Sequence, residues 1–521
     1  DSDSPVSGAK TQGSQGINDY WVVRTNGSGI KLWDKRFGGS SREELFAVKQ
    51  TPDGGFILGG WSMSAISGDQ TQISRGSSDY WIVKVDADGN KLWDKRYGGP
   101  GDDELRAMEI TSDGGYIFVG ESSSGIGGEK TESNHGEFDV WAVKTDVNGN
   151  LEWEASYGGS LDDRVNAIQQ TADGGFVIGA WTISPVGFDV TQPGRGSSDM
   201  WLIRTDASGQ KLWDGRYGGD NNEYLYSLDQ TQDGGFILGG YTRSNVNGEV
   251  TIPGKGGFDF WIVKTDLNGI KLWDKRYGAQ LDEKGKSIAV TADGGFIMGG
   301  WSESLSGGDK TESTKGASDY WLIKTDAAGN LQWDKDLGAA NEERLHDVLQ
   351  TSDGGFIVAG HSFSGNNGDK TQSNTGINDY WIVKLAATTP TQLFYADNDN
   401  DGFGNVLIDT LAVSAPAGYV EINTDCNDNN AAINPAASEI CNAGIDDNCN
   451  GLTDDGDITV TGQLSFYSDN DLDTYGTGLA ILACVQPNGT SLTADDCNDN
   501  NAAINPAASE ICNAGIDDNC N

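Results

Sequence analysis

The chain has 521 residues, enough for more than one domain with its own core. Its formal net charge is −43, from 35 basic and 78 acidic residues, and this excess excludes a surface that neutralises nucleic-acid phosphates. No run of about 18 apolar residues occurs, so no membrane-spanning helix is predicted. The start at Asp1–Ser4 lacks a basic and apolar leader, and we interpret it as a mature end left by signal removal.

The C-terminal quarter differs from the rest in both charge and cysteine content. From residue 385 onward there is no Lys, Arg or His, yet this stretch holds 22 of the 78 acidic residues. Such a segment stays loose through self-repulsion or recruits cations. All seven cysteines lie beyond residue 425, and cysteines clustered among Asn and Asp favour disulfides. We therefore expect a secreted protein, extracellular or attached to a cell surface.

A 60-residue repeat organises residues 1–385. One tryptophan ladder consists of Trp21, Trp81, Trp141, Trp201, Trp261, Trp321 and Trp381. A second ladder begins at Trp33 and an Asp-Gly-Gly turn begins at Asp53, both with the same period. Each unit contains four strand-like runs separated by glycine turns, as in 80–85, 91–97, 105–111 and 116–120. A polar loop of about 18 residues leads to the next unit.

Strands that are apolar on both faces need neighbours on both faces, and radially repeated four-stranded sheets supply them. The sequence therefore predicts an all-β fold with a β-propeller of four-stranded blades. Six complete periods favour six blades. A seventh Tyr-Trp strand at Tyr380–Leu385 lies beyond the sixth period, so seven blades are the alternative. The lack of a 3.6-residue periodicity excludes a helical solenoid, whereas a β-solenoid stays open with usually shorter coils.

The order of a Gly-Gly strand, a loop, Tyr-Trp-Ile-Val-Lys and Leu-Trp-Asp-Lys resembles kelch-type propeller repeats. It is more closely similar to the Asp-Gly-Gly-Phe-Ile and Asp-Tyr-Trp repeats of large surface proteins that Bacteroidota export by type IX secretion. The resemblance covers residues 4–385 and carries no catalytic motif. It implies a bacterial surface protein whose partners include the secretion machinery during export.

A second repeat follows the linker 386–392. Module 1 spans residues 393–457 and module 2 spans residues 458–521, and residues 431–450 are identical to residues 502–521. Since module 2 stops at Asn521, where module 1 continues with further residues, we expect the natural protein to carry more of these modules.

Alternating carboxylate and amide oxygens in the two modules predict metal-binding loops. In Asp-x-Asp-x-Asp-Gly, oxygens at positions 1, 3 and 5 converge on one ion, and glycine permits the sharp turn. The candidate ligands are Asp397, Asp399, Asp401, the Phe403 carbonyl, Asp425, Asn427, Asn429, Asp446, Asn448, Asn450, Asp469, Asp471, Asp473, Asp496, Asn498 and Asn500. Hard oxygen donors favour Ca²⁺. Position 12 of the loop that begins at Asp397 is Ile408 rather than the glutamate of an EF-hand, so calcium loops of a stalk are predicted rather than sensor EF-hands. The alternative is that these runs are only solvated turns.

The segments 425–428 and 445–451 resemble the metal-binding motif of MopE-type copper-binding surface proteins, and more distantly the thrombospondin type 3 repeat. The resemblance covers residues 393–521. We nevertheless expect calcium rather than copper, because this region contains no histidine and its thiols are expected to be oxidised.

Cysteine pairing is predicted from proximity in the sequence. Cys441 with Cys449, and Cys512 with Cys520, are expected to pair, and Cys484 with Cys497 would form a third bridge. Cys426 then has no partner, and one free thiol per chain is expected.

No catalytic constellation emerges from the repeat. His135, His346 and His361 occupy three different repeat positions, none beside a Ser or Cys in a motif. Paired acids such as Asp102-Asp103 and Asp162-Asp163 suggest glycoside hydrolysis, but they recur with the repeat at the same turn, as structural features do. We expect a protein without enzymatic activity, with a glycoside hydrolase as a distant alternative.

The position after the Gly-Gly strand carries aromatic side chains in four units, namely Trp61, Trp181, Tyr241 and Trp301. A ring of aromatics at one end of a propeller can stack on sugars, whereas the alternative is packing between blades. Two functions follow: a surface adhesin that displays its loops on a calcium-stabilised stalk, or a carbohydrate-binding, lectin-like protein. The expected ligand is a surface glycan or protein.

Overall fold

The computed structural model describes residues 2–387, 392–412, 415–511 and 515–521. Its contacts divide the chain into two compact units, residues 1–387 and residues 388–521. The described parts of both units are built from β-strands and loops, with a single 3-10 turn at Asp454–Gly456. Among these residues, no helix has the length and apolar character needed to cross a membrane.

The strands of the first unit repeat with the 60-residue period of the sequence. In chain order they are β1 (Tyr20–Thr25), β2 (Lys31–Phe37), β3 (Glu43–Gln50), β4 (Phe56–Ser62), β5 (Asp79–Val85), β6 (Lys91–Tyr97), β7 (Asp103–Ile110), β8 (Tyr116–Ser122), β9 (Asp139–Thr145), β10 (Leu151–Tyr157), β11 (Asp163–Gln170), β12 (Phe176–Thr182), β13 (Asp199–Thr205), β14 (Lys211–Tyr217), β15 (Glu223–Gln230), β16 (Phe236–Thr242), β17 (Asp259–Thr265), β18 (Lys271–Tyr277), β19 (Glu283–Val290), β20 (Phe296–Ser302), β21 (Asp319–Thr325), β22 (Leu331–Leu337), β23 (Glu343–Gln350), β24 (Phe356–Ser362) and β25 (Asp379–Leu385).

Consecutive strands pair in antiparallel fashion into repeated four-stranded sheets. Within residues 2–387 there are five such sheets, β3–β6, β7–β10, β11–β14, β15–β18 and β19–β22. They are preceded by the two-stranded sheet β1–β2 and followed by the three-stranded sheet β23–β25. The four-stranded repeat predicted from the sequence is thus confirmed.

The tryptophan ladder holds each sheet to the next. Trp81 is fully buried, and its indole N–H donates to Asp94 Oδ2 on the following strand at 3.2 Å. Tyr80 Oη donates to the carbonyl of Trp141, one repeat further along, at 2.9 Å. The bond to Asp94 satisfies the single hydrogen-bond donor of the indole, and burial of the ring removes a large apolar surface from water. The Asp-Tyr-Trp and Leu-Trp-Asp motifs are therefore the packing elements of the repeat.

The Asp-Gly-Gly turn joins the first two strands of each sheet. Gly54 has φ +82°, a conformation that glycine adopts without steric cost. Asp53 Oδ1 accepts from the Gly55 amide at 2.9 Å, and the Lys84 ammonium lies 3.0 Å from Asp53 Oδ2. The Asp53 carboxylate thus links the turn between the first and second strands to the third strand.

The last sheet contacts the first in the manner of neighbouring sheets. Tyr380 Oη donates to the Trp21 carbonyl at 3.2 Å, across 359 positions of sequence. The equivalent bond between consecutive sheets, from Tyr320 Oη to the Trp381 carbonyl, is 3.0 Å long. The rings of Trp21 and Tyr380 are also stacked, with centroids 5.0 Å apart. The first and last sheets of this unit therefore lie next to each other, as is compatible with propeller-like repeats.

The second unit contains two small three-stranded sheets. Their strands are β26 (Gln392–Ala396), β27 (Asp409–Ala412), β28 (Tyr419–Val420), β29 (Leu464–Ser468), β30 (Thr477–Ala483) and β31 (Thr490–Ser491). The strand orders are β27-β26-β28 and β30-β29-β31, so both modules have the same topology. The remainder of the described part is loop, as expected for a stretch so rich in Asx residues.

The disulfide pairing differs from the prediction. The structure joins Cys426 to Cys449, Cys441 to Cys484, and Cys497 to Cys520. The predicted pairs Cys441–Cys449, Cys484–Cys497 and Cys512–Cys520 are therefore wrong, as is the free thiol at Cys426. Cys512 itself lies outside the described residues.

The physical reason is that closeness in sequence is not closeness in the fold. The acidic loops at 425–428 and 446–450 fold against each other, so that the Cys426 amide lies 3.2 Å from Cys449 Sγ. Ile440 pairs with Thr461 in a parallel bridge, which carries Cys441 toward module 2. One disulfide thus closes a loop within each module, and Cys441–Cys484 links the two modules.

Candidate metal centre and the aromatic cluster

Each module places its first acidic loop directly after a central strand. β26 ends at Ala396, and Asp397 then accepts hydrogen bonds from the amides of Asp401 and Gly402, at 3.1 and 3.2 Å. In module 2, β29 leads into Asp469, which accepts in the same way from Asp473 and Thr474. These hydrogen bonds to Asp397 and Asp469 close each loop into a turn.

The convergence predicted for the first loop is present in the structure. Asp397, Asp399 and Asp401 each offer a carboxylate oxygen within 4.8 Å of the others. In module 2 the equivalent residues are divided between two overlapping clusters. Asp469 and Asp471 lie with Asp499, and Asp471 and Asp473 lie with Asp496. Since like charges so close together repel one another, a cation between them would be stabilising.

A residue predicted for a separate loop joins the same centre. Asp496 lies with Asp471 and Asp473. In module 1 its counterpart is Asp425, whose pKa is raised in part by the charges of Asp401 and Asp399. The two loops are held together by Asn398, whose side-chain amide donates to Asp428 Oδ2 at 2.6 Å. The sequence gives no spatial distance between these two loops, so it could not show that Asp425 and Asp399 belong to one site.

The carboxylate oxygens that face this centre lack hydrogen-bond donors. Among the described residues, no donor has hydrogen-bond geometry at either oxygen of Asp399, or at one oxygen each of Asp401 and Asp425, although these atoms are buried; the Asp401 and Asn430 amides lie near Asp399 without that geometry. In module 2 the orphaned atoms are the equivalent ones on Asp471, Asp473 and Asp496. An unpaired buried carboxylate oxygen is costly, and the same set recurs twice. A hard cation between these carboxylates would coordinate the orphaned oxygens.

The acidity of these groups is perturbed by the same arrangement. Partial burial, followed by the charge of Asp401, raises the pKa of Asp399 above its usual range. Burial, and then the charges of Asp401 and Asp399, raises the pKa of Asp425 likewise. A divalent cation bound between such neighbouring carboxylates would stabilise their ionised form.

The third predicted loop is completed by a residue that the sequence analysis missed. Asp446 accepts from the amides of Asn450 and Gly451, at 3.1 and 2.7 Å. The side chains of Asn448 and Asn450 both contact Asp457 Oδ2, at 2.9 and 2.7 Å. Asp457 stands at position 12 of a loop that begins at Asp446, where an EF-hand carries its closing carboxylate. That spacing was the signal that could have revealed it.

The remaining predicted ligands serve the turns in the described structure. The Asn427 amide donates to Asp425 Oδ1 at 2.8 Å, and the Asn498 amide donates to Asp496 Oδ1 at 2.9 Å. The Phe403 amide donates to Asp401 Oδ1 at 2.8 Å. Asn429 and Asn500 stand in tight turns, each donating its amide to the carbonyl two residues earlier.

The donor set is suited to a hard cation. Two further groups bring Asp425 near Cys426 and Cys449, and Asp496 near Cys497 and Cys520, but these four sulfurs are in disulfides. A disulfide sulfur is not a thiolate ligand, and this unit has no histidine. Oxygen donors alone therefore face the centres, as a hard cation requires.

The aromatic set predicted for ligand binding is largely buried. Trp61, Tyr241 and Trp301 expose 5%, 7% and 7% of their surface, and Trp181 is half-buried. Trp61 packs under the guanidinium of Arg42, which lies 5.6 Å from the ring centroid. This burial favours the packing alternative for the large aromatic faces.

Cationic side chains lie against the rings of Trp301 and Tyr241. There, Lys286 Nζ lies 3.2 Å from the ring centroid of Tyr226 and 5.2 Å from that of Trp301, and Arg344 lies 5.1 Å from the latter. Burial, with the charges of Lys284 and Arg344, lowers the pKa of Lys286 to about 7.

Two of the histidines meet beside this cluster. His346 Nε2 and His361 Nδ1 are 3.1 Å apart, on neighbouring strands β23 and β24. Burial, and then the charges of His361 and Lys286, lowers the pKa of His346 to about 4. Residues at different repeat positions thus form one cationic and aromatic cluster.

The second acid of each predicted pair, Asp103 or Asp163, accepts hydrogen bonds from a neighbouring turn. Asp163 is fully buried, and its Oδ2 accepts from the Gly159 amide at 2.6 Å and from Ser184 Oγ at 3.0 Å. It therefore fixes the Gly-Gly turn against the end of the second strand, which explains why an acid recurs there in every repeat.

Comparison with known proteins identifies the acidic segments most directly. Residues 425–455 and 496–521 match the model of the family Cu-binding MopE, described as "Putative metal-binding motif". These residues include Asp425, Asp446 and Asp496 of the centres described above. The match covers less than half of the chain and supports a metal-binding role for both modules.

One curated relative resembles the chain over most of its length. The Regulatory protein FlaEY of Caulobacter vibrioides is 22% identical over 469 residues, which cover 81% of this chain and 48% of that protein. The chain thus spans about half the length of the curated relative it matches.

Solved structures of low similarity are also found. Hydrazine synthase of Kuenenia stuttgartiensis matches at 12% identity with a TM-score of 0.40, covering 72% of this chain and 92% of that chain. A point mutant of the NanB sialidase of Streptococcus pneumoniae matches at 7% identity with a TM-score of 0.39, covering 66% of this chain and 68% of that chain. Scores at this level establish neither a shared fold nor a shared activity.

Proposed function

We propose that this protein is an extracellular, non-catalytic surface protein in which a β-propeller displays a binding surface on a stalk of calcium-holding modules. The observation that carries the calcium role is the repeated set of orphaned carboxylate oxygens on Asp399, Asp401 and Asp425. Three disulfides in the stalk fit an oxidising, extracellular compartment. The adhesion role rests on the long polar loops between sheets, such as residues 67–78.

Calcium binding is tested by isothermal titration of the full chain, with Cu²⁺ and Mg²⁺ as competitors. We expect Ca²⁺ to bind at both modules and to raise the unfolding temperature of the second unit. Asp399→Asn removes one charge from the centre of module 1, and we expect about a tenfold or greater loss of affinity at one site, or about 1.4 kcal/mol.

The matched control is Asp409→Asn, which removes an exposed carboxylate of the same module that lies outside the clustered groups. Equal affinity in the Asp399→Asn variant and the parent chain would refute the calcium assignment. Tighter binding of Cu²⁺ than of Ca²⁺ in oxidised protein would refute the choice of metal.

A second candidate function is carbohydrate binding at the cluster around Trp301. Lys286 and Arg344 would pair with a carboxylated sugar, and the aromatic edges would contact its apolar face. A glycan array that includes uronic and sialic acids tests this role, with Trp301→Ala as the site variant and Trp61→Ala as its control. Selective binding that only Trp301→Ala abolishes would support it, and the absence of any hit would leave the adhesin role with protein partners.

A further inference from the structure

One position of the first strand carries a different side chain in each of six repeats. At intervals of 60 residues it is occupied by Phe46, Arg106, Asn166, Tyr226, Lys286 and His346. Three residues earlier, the same strand carries only Glu or Asp in all six repeats, and these carboxylic acids are fully buried. The fold therefore constrains the buried acid and leaves the later position free to carry different chemistry.

This position lies where the sheets converge. The first strands of successive sheets contact one another, from β3 with β7 to β19 with β23. Side chains at equivalent positions of neighbouring strands can therefore meet, and Lys286 on β19 lies against Tyr226 on β15.

Lys286 is surrounded by aromatic rings. Its Nζ atom lies 3.2 Å from the ring centroid of Tyr226, 5.2 Å from that of Trp301 and 5.9 Å from that of Tyr241. The residue is half-buried, so part of its surface stays open to solvent. The amine is thus held against apolar faces at a place that a small molecule can reach.

No carboxylate compensates the charge of this lysine. Arg106, at the equivalent position three repeats earlier, contacts the carboxylates of Glu104 and Glu121 at 2.7 and 3.3 Å. Among the described residues, in contrast, no hydrogen-bond acceptor or carboxylate lies within bonding distance of Lys286 Nζ. A partly buried ammonium without a partner loses its proton more readily than an exposed one.

Other cations strengthen this effect. Lys284 on the same strand and Arg344 on β23 have their own carboxylates, Asp282 at 3.2 Å and Glu342 at 2.5 Å. Burial, and then the charges of Lys284 and Arg344, lowers the pKa of Lys286 to about 7. Close to half of the Lys286 amines are therefore neutral at pH 7.

The two histidines beside the cluster add no charge at neutral pH. Burial is the largest cause that lowers the pKa of His346, to about 4, and it also lowers the pKa of His361. The charge of Lys286 contributes to the shift of His346, so these two groups lie close enough to interact. The cluster thus places a neutral imidazole, which is able to accept and return a proton, near the amine.

We propose that Lys286 is a covalent binding site for an aldehyde, which it holds as an imine on Nζ. The neutral amine forms a C–N bond to the carbonyl carbon, the C–O bond breaks, and the oxygen leaves as water with the two amine protons. No electrons are transferred, so the step needs no oxidant or reductant. Lysines that are desolvated in an apolar pocket or placed beside other cations react in this way.

The surroundings define the class of aldehyde. The rings of Tyr226, Tyr241 and Trp301 present apolar faces, which suit an aldehyde with an aromatic or otherwise apolar body. The neighbouring cations Lys284 and Arg344 disfavour an aldehyde that carries a positive charge.

This inference goes beyond the proposed function and does not rest on it. The carbohydrate candidate uses the charged ammonium in a non-covalent contact, whereas imine formation uses the neutral amine. A glycan array without any hit therefore leaves the aldehyde site untouched, and a failure to form the imine leaves the other roles untouched.

The test is reductive trapping on the full chain at pH 7, with benzaldehyde as the probe and sodium cyanoborohydride to fix any imine. Peptide mapping by mass spectrometry then gives the rate of alkylation at each lysine. We expect Lys286 to react about tenfold or more faster than Lys335, whose side chain is 42% exposed. The rate at Lys286 should level off above about pH 8, whereas an ordinary lysine becomes faster up to about pH 10.

A matched pair of variants links the reactivity to the cluster. Arg344→Met removes a neighbouring cation, so it should slow the alkylation of Lys286 several-fold at pH 7 and move its pH profile upward. Lys49→Met removes a lysine of β3 whose side chain is 44% exposed, and it should leave the rate unchanged. The proposal is overturned if Lys286 of the parent chain reacts no faster than Lys335, or if both variants slow it equally.

Discussion

The repeat unit and the C-terminal unit bury very different amounts of apolar side chain. All six hydrophobic clusters of the described structure lie between residues 20 and 385. In the described part of the second unit the buried apolar side chains are Phe394, Ala396, Ile433, Phe466, Ala483 and Ile504. So small a core cannot by itself offset the entropy of ordering that many residues.

The second unit has cross-links in place of a core. Three disulfides and two recurring carboxylate centres lie within residues 388–521, and a buried Glu439 accepts from the amides of Asp447 and Asp454. One chain therefore combines a unit stabilised by packing with a unit that we expect to depend on redox state and cations. An acidic, polar segment can thus be ordered when covalent and ionic bonds replace burial.

The most severe loss should follow from removing both kinds of cross-link at once. Treatment of the full chain with a reductant and a calcium chelator should unfold the second unit and leave the first intact. All 16 tryptophans lie at or before residue 381, so tryptophan fluorescence reports on the first unit alone. Limited proteolysis with mass spectrometry should show cleavage confined to residues beyond 387. Loss of the tryptophan signal under these conditions would contradict the contrast between the two units.

A smaller loss is expected from a single change in the packed unit. Trp201→Ala removes a fully buried side chain and its 3.0 Å bond to Asp214, and we expect a loss of about 3–5 kcal/mol in the free energy of unfolding. Urea denaturation followed by tryptophan fluorescence measures it. Leu92→Ala, at a side chain that is 56% exposed, is the control and should stay within about 0.5 kcal/mol of the parent. Calcium affinity should be the same in all three proteins.

The link between the modules is tested by removing one disulfide. Cys441→Ser combined with Cys484→Ser should cost the second unit about 2–4 kcal/mol, because an unfolded loop of 43 residues is no longer constrained. Calorimetry in calcium-containing buffer measures the loss. Peptide mapping of the parent should recover Cys441 joined to Cys484, and recovery of Cys441 joined to Cys449 would contradict the structure.

A pH dependence of stability is expected within the packed unit. Because the pKa of Lys286 is lowered to about 7, the folded state binds fewer protons than the unfolded state between pH 7 and about 10. This lysine therefore makes stability rise with pH across that range, and its destabilising contribution is fully present below it. Lys286→Met should flatten this rise and stabilise the protein most below pH 7.

The measurement is the unfolding temperature from pH 6 to pH 10. Lys335→Met, at a lysine whose side chain is 42% exposed, is the control and should keep the slope of the parent. An unchanged slope in Lys286→Met would show that Lys286 keeps its ordinary acidity despite its burial.

Local patterns in the chain were sufficient to predict the repeat, its four strands and the carboxylate loops. Spacing located Trp81, the Asp53 turn and Asp399, because strands, glycine turns and alternating ligands have local periodicities that tertiary contacts do not alter.

The contacts between distant residues, in contrast, became visible only in the folded chain. The fold pairs Cys441 with Cys484, brings Asp425 to the centre of Asp399, and places Asp457 against Asn448. These outcomes depend on how loops and sheets fold back in space, and nothing in local spacing encodes the distance between segments that are tens or hundreds of residues apart.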